Sequence, residues 1–361
     1  MDMNHTQDPG SSSAIDEFEQ ASNAIVPYLM ERSDEFRELV RLRKKGWQNA
    51  AGGDAYFQRQ RQLADTADDK TALGFYKVMQ KIARQLHQHT GAFSVPTTVV
   101  AHTPYMLDMC MAPGGFLISA LRRMANAQAL AFSLPMSSGG HRCLVENDRI
   151  QTRFLDITML AEDMGMGVES ISPDHPDAGK FLPRQLEPNQ LFDLVICDGH
   201  VLRTHSLPAY RQIRESSRLI NTQLALGLEH LRPGGTIIVR LHKLESWPTA
   251  TLIRTFSNFS SIRLYKPEPM HAKRSSFYMV ASAVSSRHPL AIRAVERWKA
   301  IWRAATFGSG QEYRDILWTG EDNVHEFLDA YGPQMVELGR EIWRVQAKAL
   351  AKAPFIRESE L

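Results

Sequence analysis

Tyr105-Met-Leu-Asp108-Met-Cys-Met-Ala-Pro113-Gly114-Gly115-Phe116-Leu-Ile-Ser-Ala-Leu121 reads as a short apolar strand ending in Asp108, a tight turn through Pro113, Gly114 and Gly115, and a helix whose apolar spacing starts at Phe116. Two adjacent glycines let the backbone take positive φ and come close to a ligand with no Cβ in the way. The helix behind them presents unpaired N–H groups. In a parallel sheet such a crossing lies at the carboxyl end of the strands, where ligands bind.

Working outward, short apolar runs alternate with amphipathic stretches after Pro96, the pattern of repeated βα units. The runs are Tyr105–Asp108, Ala127–Leu134, Thr152–Leu155, Leu191–Cys197, Thr236–Leu241, Ser261–Tyr265 and Phe277–Ala283. They predict an α/β domain built on a mostly parallel seven-stranded sheet. Leu219–Leu231 reads as an apolar helix stopped by Arg232-Pro-Gly-Gly235, with the next strand following at once. Taken in order, the strands end in Asp108, Phe132, Asp156, Asp198 and Arg240, so their tips are expected to converge on the glycine turn.

The flanks are helical. Residues 1–14, with Pro9-Gly10-Ser-Ser-Ser13, read as a disordered tail. Residues 15–94 form a helical N-terminal region, 95–285 the α/β domain and 286–361 a helical C-terminal extension. From Asp16 the apolar spacing is helical up to Arg41-Leu-Arg43-Lys44-Lys45-Gly46, where cations followed by glycine suit a helix C-terminus. Further helices are expected from Gly52-Gly53 to about Ala67 and from about Ala72 to His87. After His288 they are expected over Ala291–Ala305, Tyr313–Trp318, Asn323–Tyr331 and Val336–Ala351. Four of the six tryptophans lie in this last region and read as packing residues.

Composition narrows the class. The formal charge of +2 gives no global field of the kind that marks an obligate nucleic-acid binder, so any RNA contact needs a local basic patch. Three scattered cysteines argue for a reducing compartment, and no CxxC or HExxH spacing calls for a metal. The polar N-terminus and the lack of a long apolar run give no expectation of a membrane. The expected location is cytoplasmic or nuclear.

Several motifs in order carry a family resemblance: Ala112–Phe116 (APGGF), Ser133–Met136 (SLPM), Phe154-Leu-Asp156, Phe192–Gly199 (FDLVICDG), Leu231–Leu241 (LRPGGTIIVRL), Lys266–Pro269 (KPEP) and Ser275–Ala281 (SSFYMVA). Over about Lys77 to Ala283 the chain resembles the FtsJ-like (RrmJ-type) ribose 2′-O-methyltransferases, to which the cap-specific enzymes also belong. The resemblance implies a Rossmann-like methyltransferase fold and S-adenosyl-L-methionine as cofactor. It implies a cofactor site of Cys110, Ala112, Pro113, Gly114, Gly115, Phe116 and Phe132, with Asp156 at the adenine and Asp198 beside the methyl donor. Phe116 stands where the family usually has tryptophan, and Phe132 where it often has an acid.

The family works with a Lys-Asp-Lys-Glu tetrad, whose depressed-pKa lysine helps take the proton from a ribose hydroxyl. By the resemblance the first lysine is Lys77 and the aspartate Asp198. Arg240 occupies the third position and Ser276 the fourth. Arginine stays protonated, so Arg240 can donate hydrogen bonds but cannot act as a base. Lys243 lies three residues further on, its direction open. The implied catalytic set is therefore Lys77, Asp198 and Arg240.

Two functions follow. One is an S-adenosylmethionine-dependent methyltransferase whose acceptor is RNA or, with the altered tetrad, a small molecule or other nucleophile. The other is a catalytically inactive methyltransferase-like binding or regulatory protein, its terminal helices serving a partner or self-association. A dehydrogenase is disfavoured, because Pro-Gly-Gly and Phe132 replace the Gly-x-Gly-x-x-Gly turn and its acidic partner.

Overall fold

The computed structural model describes residues 11–48, 50–65, 69–94, 103–268, 270–318 and 323–357. Four helices precede the sheet: α1 (Ser11–Arg32), α2 (Asp34–Gln48), α3 (Ala50–Asp65) and α4 (Asp69–Thr90). The α/β part runs β1 (Tyr105–Asp108), α5 (Gly115–Arg123), β2 (Gln128–Ser133), β3 (Ile150–Phe154), β4 (Phe192–Cys197), α6 (Ala209–Gln212), α7 (Glu215–Glu229), β5 (Leu231–His242), α8 (Trp247–Ser257), β6 (Ser261–Tyr265) and β7 (Ser276–Val284). It is followed by α9 (Pro289–Phe307), α10 (Gly310–Trp318), α11 (Val324–Ala351) and α12 (Pro354–Arg357). Among the described residues no helix is long and apolar enough to cross a membrane.

The seven strands form one sheet in the order β3-β2-β1-β4-β5-β7-β6, parallel except for β7, which runs antiparallel to both neighbours. This is the mostly parallel α/β sheet expected from the alternating runs. After β1 the chain moves out to β2 and β3, then returns to the other side of β1 as β4. The order reverses between β1 and β4, and that switch point opens a crevice at the carboxyl edge. Asp108 pairs in register with Ile196, so Asp198 lies two residues further on, just past the end of the adjacent strand β4.

Side-chain alternation sorts the strands into two buried layers. Met106, Ile196, Ile238, Tyr278 and Val280 face α4 and α5, whereas Leu107, Val195, Ile237, Val239 and Met279 face the opposite layer. The terminal helices share that second core. Phe36 of α2 meets Trp343 of α11 with ring centroids 4.9 Å apart, and Trp247 of α8 meets Phe327 of α11 at 5.0 Å. The indole N–H of Trp302 donates to Thr158 O at 3.0 Å. Trp298, Trp302 and Trp343 are buried, as the packing reading expects.

Several expected boundaries shift. The long N-terminal run breaks at Ser33, whose hydroxyl accepts from Phe36 N (3.2 Å) and caps α2. Gly46 is no cap: it lies inside α2, where a Cβ would meet Ile356 Cδ1 at 3.3 Å. Asn323–Tyr331 and Val336–Ala351 are one helix, α11, with Pro333 inside it. Pro-Gly-Gly does not separate helix from strand, because β5 already starts at Leu231 and bulges until Thr236 restores its pairing with Leu194. Of the predicted tail, residues 1–10 lie outside the described residues and Ser11–Ala14 begin α1.

Because the terminal helices and the sheet share a core, Trp343→Ala is expected to cost about 3–5 kcal/mol. Denaturant unfolding should show one cooperative transition, shifted to a lower midpoint. Two separated transitions would show that the helical extensions unfold on their own.

Candidate active site

The glycine turn is held on both sides. Met109 N donates to Ile196 O (3.1 Å) and Met111 N to Phe132 O (2.9 Å), fixing the residues after Asp108 between β2 and β4. Gly114 has φ +99°, a conformation costly for a residue with a Cβ, and it starts α5. A Cβ on Gly115 would lie 2.2 Å from Tyr76 O of α4, so that helix is seated directly against the turn. Leu144 N donates to Pro113 O (3.0 Å), which folds the connection between β2 and β3 over the turn. Gly199, after β4, is pressed against it too, since a Cβ there would meet Cys110 Sγ at 2.3 Å.

Two acids face this turn. Asp108 is 2% exposed, and its Oδ1 accepts from Cys110 N at 3.1 Å. Burial pushes its carboxyl up to about 7, with the neighbouring Asp198 adding to the rise against the Cys110 N–H. Asp198 accepts from the Tyr278 hydroxyl at Oδ2 (3.0 Å), and its Oδ1 lies 3.0 Å from Arg240 Nε. That Oδ1 is buried and lacks an aligned hydrogen-bond donor. Burial raises the Asp198 carboxyl above its ordinary range, opposed by Arg240 and Tyr278.

Arg240 and Tyr278 are paired residues on β5 and β7, which is why both reach the same carboxylate. The Arg240 Nη2 group also donates to His200 Nδ1. The guanidinium charge, followed by burial, pushes His200 well below the usual imidazole range, and His141, His242 and His271 act in the same direction. His242 is pushed down to about 4 by burial and then by Arg240, Lys266 and Arg274. His271 is buried and bonded through Nδ1 to the Ser276 hydroxyl at 2.6 Å. Lys266, pushed down to about 7 mainly by burial, donates to the carbonyls of Ser276 (2.7 Å) and Arg274. The serine in the glutamate position is thus held by His271 and Lys266.

Asp156 follows β3 and caps the turn after it, accepting from Thr158 N at 3.0 Å. Its Oδ2 takes Arg211 Nη2 at 2.7 Å. Burial opposes ionisation there, but Arg211 and Thr158 outweigh it and hold the carboxyl below its usual range. Asp156, His205 and Glu215 converge closely enough to hold a metal ion. The Arg211 guanidinium already bonds both carboxylates of that group.

The structure brings most of the sequence-predicted residues together. Cys110, 3.1 Å from Asp108 Oδ1, feels the charges of Asp108, Asp198, Asp156 and Arg240 at once. Phe116 is buried between Phe93 (6.0 Å) and Tyr278 (5.8 Å), and Phe132 is fully buried in β2. Lys77 lies exposed on α4, and the polar partners of Asp198 are Arg240 and Tyr278 rather than Lys77. Sequence reasoning missed Tyr278, whose role depends on the β5–β7 register. It also missed His200, although a histidine two residues after Asp198 was a visible signal.

Buried carboxylates side by side favour a ligand that brings positive charge. A sulfonium nucleoside with an α-ammonium group has this character, and the unaligned Asp198 Oδ1 and the close-packed glycines suit it. The residues present therefore fit S-adenosylmethionine. In the unfolded chain Asp108 should titrate near 3.8, and in the folded protein near 7. Its stabilising contribution is full below the unfolded value and is lost as pH rises toward 7, amounting to about 4 kcal/mol. Asp108→Asn is expected to match the parent in stability near pH 4, exceed it above pH 7 in thermal unfolding, and lose cofactor affinity. In the parent, calorimetry should show proton release on cofactor binding below pH 7 and weaker binding as pH falls.

Solved structures similar to the chain include an O-methyltransferase family protein from Burkholderia thailandensis, with 11% identity over 69% of this chain and 72% of that one and a TM-score of 0.34. Another is a TehB-like SAM-dependent methyltransferase from Corynebacterium glutamicum, with 12% identity over 64% and 98% and a TM-score of 0.31. A third is an O-methyltransferase family 2 protein from Planctomyces limnophilus in complex with apigenin, with 12% identity over 61% and 62% and a TM-score of 0.34. No curated protein sequence matches the chain. The model of the FtsJ-like methyltransferases matches residues 79–283, over half of the chain and including the glycine turn, Asp108, Asp156, Asp198, Arg240 and Tyr278, and the protein belongs to that S-adenosylmethionine-dependent family.

Proposed function

We propose that the protein methylates a hydroxyl of RNA, in keeping with the ribose 2′-O chemistry its family resemblance implies. The observation that carries this reading is the rim of the site. Carboxyl-edge connections bring imidazoles and cations around Arg240: His141 after β2, His200 after β4, His242 at the end of β5, and Lys266, His271 and Arg274 between β6 and β7, while Arg142, Arg203 and Lys243 lie on the same connections. In a chain of net charge +2 this local concentration suits a phosphodiester backbone.

S-adenosylmethionine supplies an electrophilic methyl group on its sulfonium. The backbone from Cys110 through Phe116, with Asp108, would hold its methionine end, and Asp156 with Arg211 would face the adenine. Arg240 stays protonated and stabilises charge developing on the acceptor oxygen. His200 is neutral, and because Nδ1 accepts from Arg240 its other nitrogen carries the hydrogen and serves as a donor. Asp198 Oδ1 is the acceptor for the hydroxyl proton. Ser276 and Lys266 hold the connection behind Arg240. Lys77, exposed on α4, takes no part in the proton transfer in this reading.

Incubation with labelled S-adenosylmethionine and total RNA, followed by nuclease digestion, is expected to place label in 2′-O-methyl nucleosides. Arg240→Ala is expected to lower kcat on the order of 10²-fold or more with cofactor affinity little changed. Lys77→Ala is expected to leave the rate near that of the parent. Label entering small molecules or protein instead of RNA would overturn the acceptor. One observation favours a binding protein without turnover, namely that Arg240 is already engaged by Asp198 and His200. Cofactor binding with no transfer to any acceptor would establish that alternative.

A further inference from the structure

The N-terminal helices reach the rim of the site. Arg43 of α2 bonds Glu245 after β5 at 2.6 Å, and its charge is felt by Lys266. Lys273, in the β6–β7 connection, donates to the Tyr56 hydroxyl of α3 at 3.2 Å and lies 4.8 Å over that ring. The two helices approach closely where a Cβ on Gly53 would meet Gly46 O at 3.6 Å. At this elbow, one residue beyond Gly46, stands Trp47. It is 74% exposed, whereas Trp247, Trp298, Trp302 and Trp343 are buried.

The charge on α2 is polarised toward the same end. Asp34, Glu35 and Glu38 occupy its first half, while Arg41, Arg43, Lys44 and Lys45 occupy its last turns without an intervening acid. Lys44 is exposed and lies one helical turn before Trp47, and on α3 Arg59 is exposed one turn after Tyr56. Asp54 is the exposed acid nearby on α3. A large aromatic face in water, one helical turn from an exposed lysine on a helix whose Arg43 reaches the rim, is what a single-stranded nucleic acid uses: a base stacks and the backbone follows the charge.

We propose that the RNA strand leaves the site across the α2–α3 elbow, with a base stacked on Trp47 and the phosphates tracked by Lys44 and Arg59. The inference rests on the RNA reading above and adds where the strand runs. It gives the N-terminal extension a substrate-holding role separate from the methyl-transfer centre. Trp47 lies on the path of the strand and away from Asp198 and Arg240, so it should influence binding of the distal part of the RNA and not the chemical step.

Fluorescence anisotropy with labelled single-stranded oligonucleotides of about four and about sixteen nucleotides, read beside steady-state methylation of the longer one, tests this. Trp47→Ala is expected to weaken the long oligonucleotide about tenfold and leave the short one unchanged. It should also raise KM with kcat unchanged. Trp47→Phe should restore most of the affinity. Lys44→Glu with Arg59→Glu should weaken the long oligonucleotide and flatten its salt dependence. An unchanged unfolding midpoint for each variant checks that the fold is kept. If the parent methylates RNA and Trp47→Ala binds both lengths as the parent does, or loses both equally, this inference falls and the RNA reading stands. A parent that self-associates through Trp47, becoming monomeric in Trp47→Ala, would also overturn it. If the parent neither binds nor methylates RNA, both readings fall.

Discussion

The structure turns on two carboxylates buried next to each other at the point where strand order reverses. Asp108 and Asp198 end neighbouring parallel strands, and backbone pairing leaves no freedom to separate them. The glycine turn packs closely on one side and Gly199 on the other. Like charges in such a place are tolerated only with compensation, and Arg240 and Tyr278 provide it for Asp198 alone. Asp108 takes a single backbone N–H and otherwise relies on its proton or on a cation brought by a ligand. The affinity of the site for a positively charged cofactor is therefore built into the sheet before any specific contact is made.

The replacements at the tetrad positions are coherent with one another. An arginine at position 240 can neutralise Asp198 permanently, which a lysine of depressed pKa cannot. The fixed positive charge at His200, and burial followed by that charge at His242, hold these histidines neutral, so that they act as hydrogen-bonding groups and not as additional cations. Ser276 fits beside His271, where a glutamate would add a charge next to a buried imidazole. Lys266 is spent on two carbonyls and keeps the β6–β7 connection in shape. In the proposed reading the centre works through polarisation by a fixed guanidinium instead of proton abstraction by lysine.

Much of the sheet was legible because β1, β2, β4 and β7 are buried on both faces over most of their length and read as continuous apolar runs. The glycine turn and the positions of Asp156 and Asp198 were legible for a related reason: strand ends in a parallel sheet share one edge. What escaped depended on partners distant in sequence. The β5–β7 register that sets Tyr278 opposite Arg240 is antiparallel and leaves no local trace. Arg211, which takes Asp156, lies on another element. Pro333 reads as a helix break, yet Tyr331, Met335 and Val336 on either side are buried, and their packing outweighs one lost hydrogen bond.

Pairing of α2 with α11, on either side of the sheet in sequence, has a consequence for biosynthesis. Phe36 finds Trp343 only after the whole sheet between them has been made, so α1 and α2 emerge before the strands and complete their packing after them. Until then their apolar stripe is uncovered, and Leu29, Phe36 and Leu39 are open to chaperones or to the same segment of another nascent chain. Loss of α11 during translation would leave α1 and α2 without a home, and quality control would meet the defect in helices far in sequence from where it arose.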